Sequence, residues 1–452
     1  MAPAALTGIL LVGGASNRFG SPKALAAFEG ESLAERAWRT LGAVCDERIA
    51  VGKTADKLPL PFGVLDDASP MRAPLAGIVA GLRAASNERC LVLPVDTPLV
   101  RVEHLQALAE AGGDAAVPQT GPLPGAYARS TLTVLEDRLR NRRLALRDAL
   151  AVLDTRVVSL DRFSLANVNT PADLELATTR ARAIRAAEWV ARNYGIDDVR
   201  PKILQDWNDT IVRLRPAPIV ARVRTSWSEG DALETYQREL AVAAHAAKRG
   251  APIVAPTIDP APGPYRVDGL VVTLWDYVEE LPGDVPPDES GRALRALHDA
   301  IADYPHTLPS LWERLERSQE IADDATACSA LREDDRRFLA YRLRDLRARF
   351  RQLRLPERPL HGGAHESNVL RTPAGPRWID FDTVCRGPLE WDLAHLPDEA
   401  VRAFPEADAA ALELGRQLVS AEVAVSCWHT YGRAPEVDDA AHFHLERLRA
   451  TA

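Results

Sequence analysis

The sequence has few cysteines, and they lie far apart. Five occur among 452 residues, at positions 45, 90, 328, 385 and 427, and no two are spaced as Cys-x-x-Cys. A disulfide framework needs paired cysteines and a structural zinc site needs clustered ligands, so the sequence favours neither. Scattered free thiols are typical of a reducing compartment, and we expect a cytoplasmic protein.

Long hydrophobic runs and an excess of positive charge are also missing. No apolar run approaches the roughly 20 residues that a helix needs to cross a bilayer. The first apolar stretch has no basic leader, so we expect neither a membrane segment nor a targeting sequence. The net charge is -9, whereas binding to a nucleic-acid backbone normally requires a basic face. This charge argues against a nucleic-acid partner and is compatible with a local basic pocket for a small anionic substrate.

The chain is long enough for two domains, since a single hydrophobic core rarely serves 452 residues. Residues 1–178 alternate short apolar strands with helical patterns, which is typical of a doubly wound α/β sheet. Residues 179–198 form a predicted helical linker in which Gly195 ends the helix. Residues 199–452 form the second predicted domain, which opens with strand patterns over residues 210–223 and is then mostly helical.

The most informative stretch of the first domain is Leu10–Lys23 (LLVGGASNRFGSPK). Its apolar start continues the run Ile9–Val12, which predicts a buried parallel strand. Two adjacent glycines follow and leave the backbone open to phosphates, and Arg18 and Lys23 supply positive charge. The spacing is neither the dinucleotide fingerprint nor the P-loop. The stretch predicts a loop that holds a nucleoside triphosphate.

Carboxylates follow two further predicted strands. Cys90–Val95 leads into Asp96, and Phe62–Leu65 leads into Asp66 and Asp67. Open α/β sheets bind ligands at the carboxyl edge of their strands, and magnesium prefers oxygen ligands. We therefore expect these carboxylates at the site where a triphosphate and its magnesium ion bind.

Two predicted helix starts complete the first domain. Pro74–Gly81 (PLAGIVAG) begins a helix with small residues, Gly77 among them, which favours close approach of a base or phosphate. Asn167–Leu174 (NVNTPADL) places a proline at the first helical position and an acid at the third, a pattern typical of a capped helix N-terminus.

Four segments in order, LLVGGASNRFGSPK, APLAGIVAGL, VLPVDTPLV and NVNTPADL, resemble the motifs of the MobA-like NTP transferases. That family, typified by the molybdenum cofactor guanylyltransferases, attaches a nucleoside monophosphate to a phosphorylated acceptor and releases pyrophosphate. The resemblance implies a Rossmann-like nucleotidyltransferase sheet, catalytic roles for Arg18, Lys23 and Asp96, and magnesium on Asp96. Asn167 and Asn169 either contact the acceptor or only cap and turn the chain. Nucleotide contacts are expected from Leu11, Gly13, Gly14, Ser16, Gly20, Asp67 and Gly77.

Two departures from the family pattern concern the nucleotide. Phe19 stands where the guanylyltransferases usually have methionine. Pro22 precedes Lys23 where many have aspartate, a feature shared with cytidylyltransferase relatives. GTP and CTP are therefore both open as the substrate. Because nothing identifies a pterin pocket, the acceptor is either molybdopterin-like or a sugar or alcohol phosphate.

Three segments of the second domain, LHGGAHESNVL from Leu360, WIDFD from Trp378 and GPLEWDLA from Gly387, resemble the core of the aminoglycoside phosphotransferases. These are small-molecule kinases with a protein-kinase-like α+β fold. The resemblance implies that Asn368 and Asp380 hold magnesium against ATP. It also implies an Arg222–Glu239 pair, a His361 that braces the loop, and structural hydrogen bonds by Asp382 and Asp392.

One residue of the second domain departs from the family. An aspartate normally follows the His-Gly pair, orients the acceptor hydroxyl and accepts its proton, but this chain has Gly363. Loss of a general base typically costs ~10²- to 10⁴-fold in rate. His365 and Glu366 lie nearby but start from different backbone positions. We therefore expect an inactive or nucleotide-binding-only domain beside an active nucleotidyltransferase. A small-molecule kinase, a bifunctional kinase and nucleotidyltransferase, and a nucleotide sensor without turnover are the alternatives.

Overall fold

The computed structural model describes residues 5–13, 19–207, 209–225, 229–432 and 435–451. The chain divides into two compact units. The first consists of Met1–Arg192, Val199–Leu214 and Val223–Ser226, and the second of Asn193–Asp198, Arg215–Arg222 and Trp227–Ala452.

Strands occur in both parts of the chain. They are β1 (Leu6–Leu11), β2 (Ala27–Phe28), β3 (Glu31–Ser32), β4 (Glu47–Gly52), β5 (Val64–Asp66), β6 (Arg89–Pro94), β7 (Ala115–Pro118), β8 (Gly125–Ala128), β9 (Thr155–Val158), β10 (Arg200–Asp206), β11 (Asp209–Arg215), β12 (Ile219–Arg224), β13 (Tyr265–Val267), β14 (Leu270–Asp276), β15 (Glu357–Leu360), β16 (Val369–Thr372), β17 (Gly375–Trp378) and β18 (Cys385–Pro388).

Helices alternate with these strands and dominate the last third of the chain. They are α1 (Leu33–Gly42), α2 (Pro74–Ala84), α3 (Val102–Glu110), α4 (Leu132–Arg140), α5 (Leu146–Leu150), α6 (Pro171–Asn193), α7 (Glu229–Lys248), α8 (Pro287–Ile301), α9 (Leu311–Asp323), α10 (Glu333–Gln352), α11 (Leu389–Leu393), α12 (Asp398–Val401), α13 (Ala409–His429) and α14 (Pro435–Ala450). Within the described ranges, no helix is both long enough and apolar enough to cross a membrane.

A seven-stranded sheet in the order β5-β4-β1-β6-β8-β7-β9 forms the first unit. The central strand β1 pairs in parallel with β4 and β6, where Leu10 lies opposite Ala50 and Leu93. Strand β8 runs antiparallel to both of its neighbours. Because β1, β4 and β6 are parallel, the residues that follow them meet at one edge of the sheet.

Both faces of this sheet are covered by helices. Alternate residues of β1 point to opposite faces, so Ile9 packs with Leu75 of α2, while Leu10 packs with Leu33 of α1. This confirms the predicted doubly wound α/β fold. The predicted bounds of three strands differ from the observed ones. Strand β1 spans Leu6–Leu11 rather than Ile9–Val12, β5 spans Val64–Asp66 rather than Phe62–Leu65, and β6 spans Arg89–Pro94 rather than Cys90–Val95.

The predicted linker helix is part of the longer α6. Its start is capped reciprocally, since Thr170 N donates to Asp173 Oδ2 at 2.8 Å and Asp173 N donates to Thr170 Oγ1 at 3.2 Å. The helix ends at Asn193, just before Gly195, which adopts a positive φ of 81°. Residue 178, the predicted end of the first domain, therefore lies inside one continuous helix.

A second sheet has five strands in the order β10-β11-β12-β14-β13, and β13 and β14 pair antiparallel. Two small antiparallel ladders, β15 with β18 and β16 with β17, follow α10. Trp378 is buried in a core with residues of α7 and α8, and Trp391 is buried in another with residues of α9, α10 and α13. This confirms the predicted α+β, kinase-like second part.

Candidate functional site

An open cavity of about 1070 Å³ lies at the carboxyl edge of the seven-stranded sheet. It is bordered by the residues after β1, β4 and β6 and by the start of α2, and its volume is comparable with small-molecule sites. The cavity brings together many of the residues predicted for nucleotide and acceptor binding, namely Leu11, Gly13, Gly20, Lys23, Asp67, Gly77, Asp96 and Asn167. Gly14, Ser16 and Arg18 lie outside the described residues, and their roles stay predictions.

Lys23 connects three of the sequence motifs described above. It begins a short 3₁₀ turn after the glycine loop, and its Nζ donates to Asn169 Oδ1 at 2.7 Å and lies 3.4 Å from Asp96 Oδ2. Asp96 follows β6, and its backbone carbonyl accepts from Val168 N at 2.7 Å. Three segments far apart in sequence therefore converge on one ammonium group. The Asp96 carboxylate is a ligand of the type that magnesium prefers, although no group of three or more His, Cys, Asp or Glu residues among the described residues forms a complete metal site.

The two asparagines of the NVNTPADL motif occupy different environments. Asn167 lines the cavity. The side chain of Asn169 accepts from Lys23, while its backbone N donates to Asp173 Oδ2 at 2.8 Å. The helix cap is made by Thr170 and Asp173 rather than by either asparagine side chain.

Asp66 and Asp67 also lie in different environments. Asp66 Oδ2 accepts from Thr54 N at 2.9 Å and from Thr54 Oγ1 at 2.5 Å, and these hydrogen bonds lower the pKa of Asp66 to about 2. Asp66 thus ties β5 to the loop after β4. Asp67 lines the cavity and forms an ion pair with Lys53, whose ammonium also donates to the carbonyl oxygen of Ser69.

The sequence reasoning missed Lys53, Asp56 and Arg72, which also line the cavity. Arg72 binds Asp56 through two hydrogen bonds of 3.0 and 2.7 Å. Lys53 directly follows β4, the neighbour of β1, so the sheet-edge argument used for Asp96 could have found it. With Lys23, these cations make one end of the sheet suitable for a polyanionic ligand.

Gly77 lines the cavity and also has a packing role. A Cβ atom at this position would lie 2.7 Å from Leu11 Cδ2, and one at Gly81 would lie 2.5 Å from Ile9 Cγ2. Both distances are shorter than carbon atoms tolerate, so the glycines let α2 lie close against β1.

In the kinase-like part, Arg222 on β12 binds three carboxylates. Its Nη1 donates to Glu239 Oε1 at 2.5 Å, and its Nη2 lies 2.7 Å from Asp380 Oδ1 and 3.5 Å from Asp382 Oδ2. Glu239 is fully buried on α7, and its Oε1 also accepts from Phe381 N at 3.1 Å. The pairing that the family resemblance implies is therefore present.

The loop with the His-Gly pair is fixed from behind by Asp392. The backbone N–H groups of His361 and Gly362 each donate to this buried carboxylate at 2.8 Å, and His298 Nε2 lies 2.8 Å from it. His361 Nε2 lies 2.9 Å from the carbonyl oxygen of Ile379, and burial lowers the pKa of His361. A neutral, fully enclosed imidazole braces the loop in this geometry.

The two residues predicted to hold magnesium lie at the two ends of the β16–β17 hairpin. Val369 pairs with Trp378, and Ile379 N donates to Asn368 O at 2.9 Å. Asn368 therefore directly precedes the hairpin, and Asp380 follows it after one residue. An amide and a carboxylate suit magnesium, although Arg222 shares the Asp380 carboxylate.

Gly363 supplies no side chain where the family has its proton acceptor. Its carbonyl oxygen accepts from Asn368 Nδ2 at 2.9 Å, and the same amide group lies 3.1 Å from His365 Nε2. His365 is exposed to solvent, yet desolvation by the surrounding protein lowers its pKa. Glu366 is exposed on a short 3₁₀ turn.

The chain matches two family models in order. Residues 8–157 match the MobA-like NTP transferase domain, and residues 202–426 match the phosphotransferase enzyme family. The molybdenum cofactor guanylyltransferase of Desulfosudis oleivorans is 32% identical over 200 residues, which cover 40% of this chain and 98% of that protein. A probable molybdenum cofactor guanylyltransferase of Bacillus subtilis is 30% identical over 195 residues, covering 39% and 96%.

A solved structure resembles the second part. Amicoumacin kinase hAmiN, in complex with AMP-PNP, Ca²⁺ and Ami, superposes with a TM-score of 0.50 at 11% identity. The match covers 62% of this chain and 96% of that one. At this identity the likeness shows a kinase-like fold.

Proposed function

The chain belongs to the MobA-like NTP transferase family, and from this membership we propose that its first unit transfers the nucleoside monophosphate of GTP to a phosphorylated acceptor. The observation that carries the proposal is the convergence of Asp96 and Asn169 on Lys23, with Lys23 and Asp96 both lining the cavity. The guanylyltransferase relatives favour GTP over CTP, and they favour an acceptor of the molybdenum cofactor type over a sugar phosphate.

The proposed reaction forms one bond and breaks one. An oxygen of the acceptor phosphate attacks the α-phosphorus of GTP, the α–β bridging bond breaks, and pyrophosphate leaves with the electron pair. Lys23 provides a fixed positive charge for the triphosphate, and Asp96 provides the carboxylate that holds magnesium. When bound, magnesium neutralises the charge that develops on the phosphate oxygens. In-line attack requires that both substrates be held in the cavity at the same time.

For the kinase-like part we propose nucleotide binding without phosphoryl transfer. The observation that favours this proposal is Gly363, which offers no group to orient a hydroxyl or take its proton. ATP is the proposed ligand, with its phosphates beside Arg222 and with Asn368 and Asp380 as the proposed ligands of its magnesium ion. A bifunctional enzyme, in which this part phosphorylates the acceptor before nucleotidyl transfer, is the second candidate.

Phosphorus NMR of the full-length protein distinguishes these functions. The protein is mixed with magnesium, each of the four nucleoside triphosphates in turn, and a pool of small-molecule metabolites from a cell extract. Pyrophosphate formed with GTP supports the proposal, and pyrophosphate formed only with another triphosphate overturns the base assignment. A nucleoside diphosphate with a new phosphomonoester shows that the kinase-like part is active.

Two substitutions assign the activity to the cavity. Lys23→Ala and Asp96→Ala should abolish pyrophosphate release, while Lys248→Ala, which alters an exposed lysine at the end of α7, should leave it intact. Turnover that persists in the Lys23 and Asp96 variants would reject the site.

A further inference from the structure

We propose that Asn169 is a positioning residue that holds Lys23 ready for the triphosphate, and that it acts on nucleotide binding rather than on the acceptor. This inference rests on the proposed nucleotidyl transfer, because it assigns a role within that site. Its basis is the 2.7 Å hydrogen bond from Lys23 Nζ to Asn169 Oδ1.

The direction of this hydrogen bond follows from chemistry. An ammonium group only donates, so the side-chain oxygen of Asn169 must face Lys23. That oxygen lies closer to the ammonium than the carboxylate of Asp96 does, at 2.7 against 3.4 Å. Asn169 therefore makes a closer contact with Lys23 than Asp96 does.

The backbone around Asn169 is fixed from two sides. Asp173 Oδ2 accepts from the N–H groups of Asn169 and Thr170, both at 2.8 Å. On the other side, Val168 N donates to the Asp96 carbonyl oxygen at 2.7 Å. The start of α6 and the end of β6 thus hold the amide at a set place beside the glycine loop.

A neutral partner suits a lysine that must later bind phosphate. The Asn169 amide orients the ammonium without cancelling its charge, so phosphate oxygens can replace it at little electrostatic cost. Without Asn169, the Asp96 carboxylate, 3.4 Å away, remains a partner of the ammonium. A full ion pair there would compete with the triphosphate for Lys23 and with magnesium for Asp96.

The experiment measures GTP binding by calorimetry on the full-length protein, with magnesium and without acceptor. We expect Asn169→Ala to raise the Kd for GTP roughly tenfold, because a phosphate oxygen would then have to displace the Asp96 carboxylate from Lys23, at the cost typical of one hydrogen bond to a charged group. Asn141→Ala, in an exposed turn after α4, serves as the matched control and should leave the Kd unchanged.

Two further variants separate positioning from a structural role. Aspartate has nearly the shape of asparagine and leaves the backbone hydrogen bond to Asp173 in place, so a purely structural role predicts wild-type binding for Asn169→Asp. Positioning predicts weaker binding, because the new carboxylate would retain the ammonium. In a Lys23→Ala background, Asn169→Ala should have no additional effect on the Kd.

Several outcomes would overturn the inference. These are an unchanged Kd for Asn169→Ala, a full additional effect in the Lys23→Ala background, or a change confined to the KM of the acceptor. The proposed function fails separately, if wild-type protein binds GTP and yields no pyrophosphate. Wild-type protein that binds no GTP overturns both.

Discussion

The hydroxyl oxygen of Thr383 lies 2.9 Å from the point that a Cβ atom on Gly363 would occupy. Such a contact is shorter than carbon and oxygen atoms normally tolerate, so a side chain at position 363 requires Thr383 to move. Threonine is β-branched and stiff at χ1, which limits this movement. The Thr383 side chain therefore occupies part of the space that an aspartate at position 363 would need.

This relationship predicts how a phosphotransferase could be recovered. Gly363→Asp alone should give little gain, whereas Gly363→Asp combined with Thr383→Ala should raise ADP formation toward the ~10²-fold or more that a general base contributes. ADP release is followed by a coupled assay with ATP and hydroxyl-bearing metabolites, and Thr383→Ala alone is the control. Equal activity of the single and double variants would show that Thr383 is no obstacle.

The buried pair of Arg222 and Glu239 predicts a large loss of stability. Arg222→Ala would leave the fully buried Glu239 carboxylate without its guanidinium partner, and breaking a buried pair typically costs about 3–5 kcal/mol. The matched control is Arg249→Ala, since Arg249 pairs with an Asp303 side chain that is 67% exposed. That change should cost less than about 1 kcal/mol. Urea unfolding compares the two, and similar shifts would contradict the prediction.

Because α2 lies close against β1, we expect a larger side chain at position 77 to overpack the contact between them. Gly77→Ala places a methyl group 2.7 Å from Leu11 Cδ2 and should destabilise the protein by about 1–3 kcal/mol. Gly63→Ala is the control, because a Cβ there meets no atom within 4 Å. Thermal unfolding measures both variants. A Gly77→Ala protein as stable as the control would mean that Leu11 moves aside freely.

The buried His395 should lower the free energy of unfolding in mild acid. Burial lowers its pKa to about 3, below the ordinary value near 6.5 that applies when the chain is unfolded. Between these values the unfolded state binds the extra proton, so stability falls as the pH drops from 6.5 toward 3. At pH 5 the loss reaches up to about 2 kcal/mol relative to neutral pH. His395→Gln should remove this part of the loss in urea unfolding at pH 7 and pH 5, and identical pH dependence of both proteins would refute it.

The sequence predicted the convergence at the nucleotide cavity because parallel strands bring their carboxyl ends to one edge. Lys23 and Asp96 each follow a strand pattern, so their meeting needed only sheet topology. The hydrogen bond between Lys23 and Asn169 could not be predicted, since it depends on how the start of α6 is anchored against Asp96.

Other contacts were missed because no local pattern marks them. Lys53 and Arg72 lie in loops without a motif, and their carboxylate partners become neighbours only when β4 and β5 are paired. Thr383 is twenty residues from Gly363 and meets it through the turns on either side of the β16–β17 hairpin. The residue pattern of one segment does not indicate which residues of a distant segment it will contact.

The unbroken course of α6 bears on how this gene can be divided. A cut at codon 178 would leave Ala177 with the first product and send Ala181, which shares the same hydrophobic core, to the second. It would also remove buried Ala187 and Val190 from the helix whose first turn anchors Asn169. Recombination at that codon therefore separates Asn169, the hydrogen-bond partner of Lys23, from most of the helix that follows it, so natural or engineered fission at this point should be poorly tolerated.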